Sequence, residues 1–370
     1  MIIYSAGDPA AATEDDGISY RFVDTRWDWR ALRLLDPASR VRPARKPLFA
    51  SRAYFRTYIR RIARNLRSRR PDVVHVHNFS QFVPVLRRVL PRARLVLHMH
   101  ADWLSLLDHR VLAPRLEQTD AILGCSRHIT ELTQAAFPAL AGRCVTVHNG
   151  VDLERFRPPE RRPHGALRLL TVGRIAPEKG IHVLLDALPR IHEIDPSVEL
   201  HLIGPEAPVS VEMLVALSDD PLVTALGRFH PGPYLAPLLD RLPPRSRDRV
   251  RVVGKLSHVQ TAPQYTRASI LVAPSLWEPF GMPIVEGMAA GLPVVASRID
   301  GIPEIVEPDH TGFLVPPGDS GALADALLAL VADEGLRERF GHAGRARVER
   351  LFSWGRIADA AAAVYEGSAR

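Results

Sequence analysis

At 370 residues, with 46% hydrophobic and 24% charged side chains, the chain is long enough for two domains, each with a full core. No apolar run approaches the ~20 residues of a membrane span, and the opening MIIYSAGDPAAATEDD lacks the basic start and apolar centre of a signal peptide. Two cysteines, Cys125 and Cys144, exclude a disulfide framework and a cysteine metal cluster, which points to a reducing, cytoplasmic compartment.

The net charge is +7, yet only three of the 48 basic residues are lysines, at 46, 179 and 255. GC-rich coding accounts for the arginines, and no nucleic-acid partner is expected. Against that default, a lysine marks a place where a compact point charge is wanted. Lys179 and Lys255 both fall inside motifs described below.

From the start of the chain, Met1–Tyr4 and Ile18–Val23 read as strands, the second by its alternation. A Pro/Arg-rich loop over 36–48 precedes a helix expected over Ser51–Arg70, with Tyr54, Tyr58, Ile59, Ile62 and Leu66 at helical spacing. Its other positions carry eight arginines (52, 56, 60, 61, 64, 67, 69, 70) and no acid. Two readings stand: a solvated face, or a surface resting on anionic lipid at the inner side of the membrane.

Strand and helix then alternate. Asp72–His77, Arg94–His100, Ala121–Gly124 and Cys144–Val147 are strands; Gln81–Leu90, Asp108–Gln118 and a helix capped by Ser126 lie between them. Near-continuous apolar strands joined through helices imply a parallel sheet covered on both faces. Leu153–Ala166, with three prolines and no periodicity, reads as an interdomain linker. A second series follows: strands Leu169–Val172, Glu199–Ile203, Val250–Val253, Ile270–Ala273, Pro293–Ala296 and Gly312–Val315, a helical, proline-rich insert over 209–247, and helices over 319–347. The expected class is α/β, with two doubly wound domains facing one another across a cleft.

Three groups of residues carry candidate chemistry. The segment from Thr171 to Gly180 leaves a strand, turns at Gly173 and enters a helix near Gly180. Arg174 and Lys179 there, beside helix amides, suit a diphosphate. The segment is neither a Walker loop nor a dinucleotide-binding glycine motif. The second group spans Ser275–Ala296. Glu278 lies in a loop after a strand, Met282-Pro283 opens a helix that ends at Gly291, and Glu286 is expected in its first turn. Free amides near Phe280, Gly281 and Met282 make an anion site. Taken alone, Glu278 and Glu286 could be the acid and nucleophile of a glycoside hydrolase or phosphorylase. The two-part phosphate cradle favours transfer from a phosphorylated donor.

The third group is His75/His77 and His98/His100, each pair on one strand face. Zinc is one reading. Since only the last residue of each strand reaches the crevice, His75 and His98 are expected to pack or hydrogen-bond, and His100 to face substrate. No metal site is expected.

Four motifs in order, Val147-His-Asn-Gly-Val-Asp152 with Arg155-Phe156, Val172-Gly-Arg174 with Glu178-Lys179-Gly180, Glu278-Pro-Phe-Gly281 with Glu286-Gly-Met-Ala-Ala-Gly291, and Gly301-Ile-Pro-Glu-Ile-Val306, resemble glycosyltransferase family 4. The likeness is dense over about 72–366. It implies a retaining enzyme of GT-B fold, built from two facing Rossmann-like domains. The expected ranges are 1–155 for the acceptor-side domain and 166–350 for the donor domain. Over 351–370 a helix would cross back to the first domain.

The resemblance further implies a nucleotide-diphosphate sugar as donor and no cofactor. Arg174 and Lys179 would hold the diphosphate, after the turn at Gly173. Glu286 would bind ribose hydroxyls and Glu278 sugar hydroxyls, with the amides of Phe280, Gly281 and Met282 at the phosphates. Lys255-Leu256 would touch the base, and His100 would lie near the sugar. The acceptor would be a glycan, a lipid-linked sugar or a small molecule. Two departures stand out. The family opens with a strand and a glycine-pair loop, whereas this chain offers the single Gly7 and is expected to start at the family's second strand. A sugar-nucleotide-binding protein with little or no transfer activity is the alternative that follows. The other departure is Asp300, where many relatives have a second glycine.

Overall fold

A computed structural model describes residues 1–35, 45–160, 167–230 and 232–368. The expected loop over 36–48 and the end of the expected linker, 161–166, lie wholly or partly outside the described residues. The chain divides into two compact units, 1–124 with 130–146 and 363–370, and 125–129 with 147–362. Residues 147–155, expected at the end of the first domain, pack with the second unit. Contacts distant in sequence hold them there: the Val151 amide donates to the Phe352 carbonyl at 2.9 Å, and Arg345 donates to the carbonyls of Leu153 and Phe156.

In the first unit, β1 (Ile2–Ala6), β2 (Thr13–Asp15) and β3 (Ile18–Val23) form a small sheet of order β1-β3-β2. β1 pairs with β3 in parallel, and β2 with β3 antiparallel. After β1, the Gly7 amide donates to the Val23 carbonyl, and Asp8 caps a short 3-10 turn over Pro9–Ala11. A separate parallel sheet holds β4 (Val73–His77), β5 (Arg94–Met99), β6 (Ala121–Gly124) and β7 (Cys144–Thr146) in that order. The arginine-rich helix runs from Arg56 to Arg69, shorter than expected, and follows a buried 3-10 turn at Leu48–Ala50. Its N-terminus has no cap of its own; Asp28, buried on the preceding helix Arg26–Leu35, accepts the amides of Thr57 and Tyr58 at 2.7 and 3.0 Å.

The second unit is built on β8 (Arg168–Val172), β9 (Glu199–Ile203), β10 (Val250–Gly254), β11 (Ile270–Ala273), β12 (Val294–Ser297) and β13 (Gly312–Val315). The sheet is parallel throughout, with order β10-β9-β8-β11-β12-β13. Leu169, Leu170, Ile270, Leu271, Val294 and Val295 are fully buried in its centre, each contributing about 1.5–3 kcal/mol by burial. Strand order reverses between β8 and β11. Ligands of doubly wound sheets bind outside the carboxyl ends of the strands at such a switch point. Among the described residues no helix is long and apolar enough to cross a membrane.

Candidate active site

The two strands that flank the switch point deliver the two phosphate-suited segments. After β8 the chain turns at Gly173, passes through a 3-10 turn at Pro177–Lys179, and enters the helix Ile181–Ile194 by way of Gly180 in the left-handed region. A Cβ on Gly180 would stand 1.8 Å from the Pro274 carbonyl oxygen, so only glycine lets the two loops touch. The Glu178 carbonyl accepts the amides of Leu276 and Trp277 at 2.9 and 3.3 Å and holds the loops together.

Charges meet across that seam. The Lys179 ammonium lies 2.6 Å from Glu278 Oε2, which the Ser275 hydroxyl also approaches at 3.4 Å. Arg174 donates to the Ala207 carbonyl at 2.9 Å and pairs at 2.8 Å with Glu178, whose side chain is buried. Arg174 and Lys179 thus rest on carboxylates that hold them at the carboxyl ends of β8 and β11.

The helix after β11 runs Met282–Ala289, with Gly281 as its N-cap at φ 116° and Pro283 in its first turn. The amides of Phe280, Gly281 and Met282 have no hydrogen-bond partner among the described residues, as expected for an anion site at a helix start. Gly291 takes the left-handed conformation expected of a terminator. Glu286 is the fifth helical residue, not part of the first turn as expected from sequence, because Met282 itself is already helical. It is 7% exposed and accepts the Tyr265 hydroxyl at 2.6 Å. Burial pushes its carboxyl up to about 7, against the opposing pull of the Tyr265 hydrogen bond.

Sequence alone gave no role to Asp300. In the structure its Oδ2 accepts the Glu278 amide at 2.7 Å, while the Gly301 amide donates to the Glu278 carbonyl at 3.3 Å. Residues 300 and 301 therefore grip the Glu278 residue by its two backbone groups. A Cβ on Gly301 would meet the Pro279 carbonyl oxygen at 2.5 Å. Asp300 holds a left-handed φ of 48° and lies 3.4 Å from His128 Nε2. Burial raises its carboxyl above the usual range. Glu304, in the same motif, accepts the amides of Arg127 and His128 at 2.7 and 2.8 Å and pairs with His148 at 3.0 Å. Burial alone would raise its carboxyl, but these hydrogen bonds outweigh it and hold it below the usual range. Tyr265 and Glu178 were also missed; the i,i+4 spacing of Arg174 and Glu178 was the available signal.

Lys255 and Leu256 follow Gly254 at the carboxyl end of β10, the edge strand, two strands from β8. Lys255 is exposed and makes no ion pair among the described residues. His100 belongs to the first unit, just past β5. Its amide donates to Asn78 Oδ1 at 2.7 Å and its Nε2 lies 2.9 Å from His77 Nδ1; burial lowers its imidazole to about 4.

Comparison with known proteins agrees with this architecture. Residues 152–347 match the family described as glycosyl transferases group 1, and residues 9–155 match Glycosyltransferase Family 4. Glycogen synthase of Mycobacterium tuberculosis is 31% identical over 318 residues, covering 82% of this chain and 70% of the relative. Sucrose-phosphate synthase from Thermosynechococcus elongatus superposes with a TM-score of 0.71 at 22% identity, covering 99% of this chain and 88% of that one. HepE of Anabaena, solved with UDP and glucose, gives a TM-score of 0.64 at 21% identity over 87% of this chain and 84% of that one. The chain belongs to glycosyltransferase family 4 and has the GT-B fold.

Proposed function

We propose that the chain transfers a sugar, with retention of configuration and without a metal ion, from a nucleotide-diphosphate sugar whose diphosphate lies at the carboxyl ends of β8 and β11. One observation carries this reading. Arg174, Lys179 and the unpartnered amides of residues 280–282 all stem from the two loops at the switch point. The binding of UDP and glucose by the HepE neighbour supports a nucleotide-sugar donor here.

Donor binding exchanges partners. The diphosphate takes Lys179 from Glu278, and the released carboxylate accepts a sugar hydroxyl. As the bond from the anomeric carbon to the phosphate oxygen breaks, negative charge grows on that oxygen. Two fixed cations and the helix-start amides stabilise it, which is electrostatic catalysis that a metal would otherwise supply. The acceptor oxygen attacks from the face the phosphate leaves, and its proton passes to the departing phosphate. Glu286 binds the ribose hydroxyls, Lys255-Leu256 the base, and His100 the sugar. A hydrolytic role for Glu278 and Glu286 is disfavoured, since Glu278 is tied to Lys179 and Glu286 is buried against Tyr265.

The acceptor is borne on an anionic membrane surface. Arg52, Arg56, Arg60, Arg64, Arg67, Arg69 and Arg70 are exposed and form no ion pair with an acid among the described residues. On the neighbouring helix, fixed through Asp28, Trp27 and Trp29 are 60% and 51% exposed. Basic residues beside exposed tryptophans suit a lipid interface. The test is nucleotide release from a panel of nucleotide sugars, with vesicles rich in phosphatidylglycerol or with soluble sugars as acceptors. Release that needs the vesicles supports the reading in full. Release with soluble acceptors alone removes the membrane part, and no release from any donor overturns the transfer itself.

A further inference from the structure

Outside the donor-side loops, the first unit gathers four histidines on one face of its parallel sheet. β4 and β5 pair with His77 opposite His98, so the two i,i+2 pairs become a single patch. Ring centroids of His75 and His77 are 4.5 Å apart, those of His77 and His98 5.6 Å, and those of His98 and His100 4.3 Å. One nitrogen from each of His75, His77 and His98 lies within 4.8 Å of the other two. His77 Nδ1 and His100 Nε2 share a hydrogen bond at 2.9 Å, which orients the His77 ring.

Packing alone explains this patch poorly. A sheet face covered by a helix is ordinarily apolar, and a buried imidazole nitrogen calls for a partner. His75 Nδ1 has one in the Tyr365 hydroxyl at 2.7 Å, but its Nε2 is buried with none. The geometry points to a binding site for one divalent transition ion of the zinc, nickel or cobalt class, held by His75, His77 and His98, with water in the fourth position.

An all-imidazole set selects these ions over magnesium or calcium, which take oxygen ligands. Bringing the nitrogens to about 2.0–2.1 Å from a shared ion calls for rotation of the imidazoles toward one another. No ring proton need be released. Each ring is a neutral imidazole and ligates through the nitrogen that does not carry its proton. His77 is exposed and gives the ion its way in. The site does not depend on the donor reading, since His75, His77 and His98 have no part in it.

The test uses full-length protein without a histidine tag, dialysed against chelator and titrated with zinc chloride by calorimetry. One equivalent is expected to bind, with affinity reduced at least roughly tenfold in His77→Ala/His98→Ala and unchanged in His310→Ala, an exposed histidine elsewhere. No stoichiometric binding, or binding that survives the double substitution, overturns the site. Should that variant misfold by circular dichroism, cobalt(II) added to the wild type decides instead. The intense visible absorption of a four-coordinate ion is expected, and the weak spectrum of the aquo ion contradicts it.

Discussion

The Lys179 ammonium sits 2.6 Å from Glu278 Oε2, although 99 residues separate them in the chain. The side chains are 19% and 13% exposed, so the pair is largely shielded but not dry. A diphosphate must therefore compete with an internal carboxylate for its cation. Glu278→Gln is predicted to tighten the binding of a free nucleoside diphosphate, because Lys179 is then unopposed, while lowering kcat through the lost sugar contact. Calorimetry with the nucleotide alone and steady-state rates with the full donor measure the two effects. Weaker nucleotide binding in Glu278→Gln would contradict the exchange.

Glu286 gives a pH signature. Its carboxyl is raised from the ordinary carboxylate range to about 7, so the folded protein binds this proton more tightly than the unfolded chain does. Its contribution to stability is then full below about pH 4.5 and is lost as pH climbs to 7, a fall of about 3 kcal/mol at most. Glu286→Gln, which keeps an acceptor for Tyr265, is predicted to remove this slope and to raise Tm at pH 8. Thermal melts between pH 5 and 8 check it; parallel curves for the two proteins would refute the assignment.

Gly180 is where the two site loops touch. Gly180→Ala adds a Cβ against the Pro274 carbonyl at a φ of +66°, which combines a backbone clash with a disfavoured conformation. The substitution is predicted to cost about 3 kcal/mol or more of stability by urea unfolding, and to abolish transfer under conditions where the variant is still folded. A loss below 1 kcal/mol would mean that the loops part easily.

Asp300 is predicted to act through the backbone of Glu278. Asp300→Asn keeps the acceptor and is expected to retain kcat/KM within about threefold. Asp300→Ala leaves the Glu278 amide without it and is expected to lose about tenfold, near 1.4 kcal/mol. Equal loss in both variants would point to the charge rather than the hydrogen bond.

The regular part of the fold was open to sequence reading because its signal is local. Apolar runs such as Ile270–Ala273 and glycine stops such as Gly291 declare a buried strand and a helix end within a few residues. The phosphate-suited pieces, Arg174, Lys179 and the amides at 280–282, were legible for the same reason. Pairing was not. That Lys179 meets Glu278, that Asp300 holds the Glu278 amide, and that His77 stands beside His98 all follow from strand order and register, which no local window contains. The partner of Glu286 was hidden too, because Tyr265 lies 21 residues away on another helix. The packing of residues 147–155 on the second unit was hidden for a similar reason, since Val151 pairs with Phe352 on the far side of that unit's sequence.

The central claim is that Arg174 and Lys179 hold the donor's diphosphate. Its most direct test is calorimetric titration of UDP, GDP and ADP into the wild type and into Arg174→Ala/Lys179→Ala. At least one nucleotide is predicted to bind the wild type. In the double variant, the loss of two charge-assisted contacts of about 1.5–3 kcal/mol each lowers that affinity more than ~100-fold. Binding of equal strength in both proteins, or no binding of any of the three to the wild type, would contradict it.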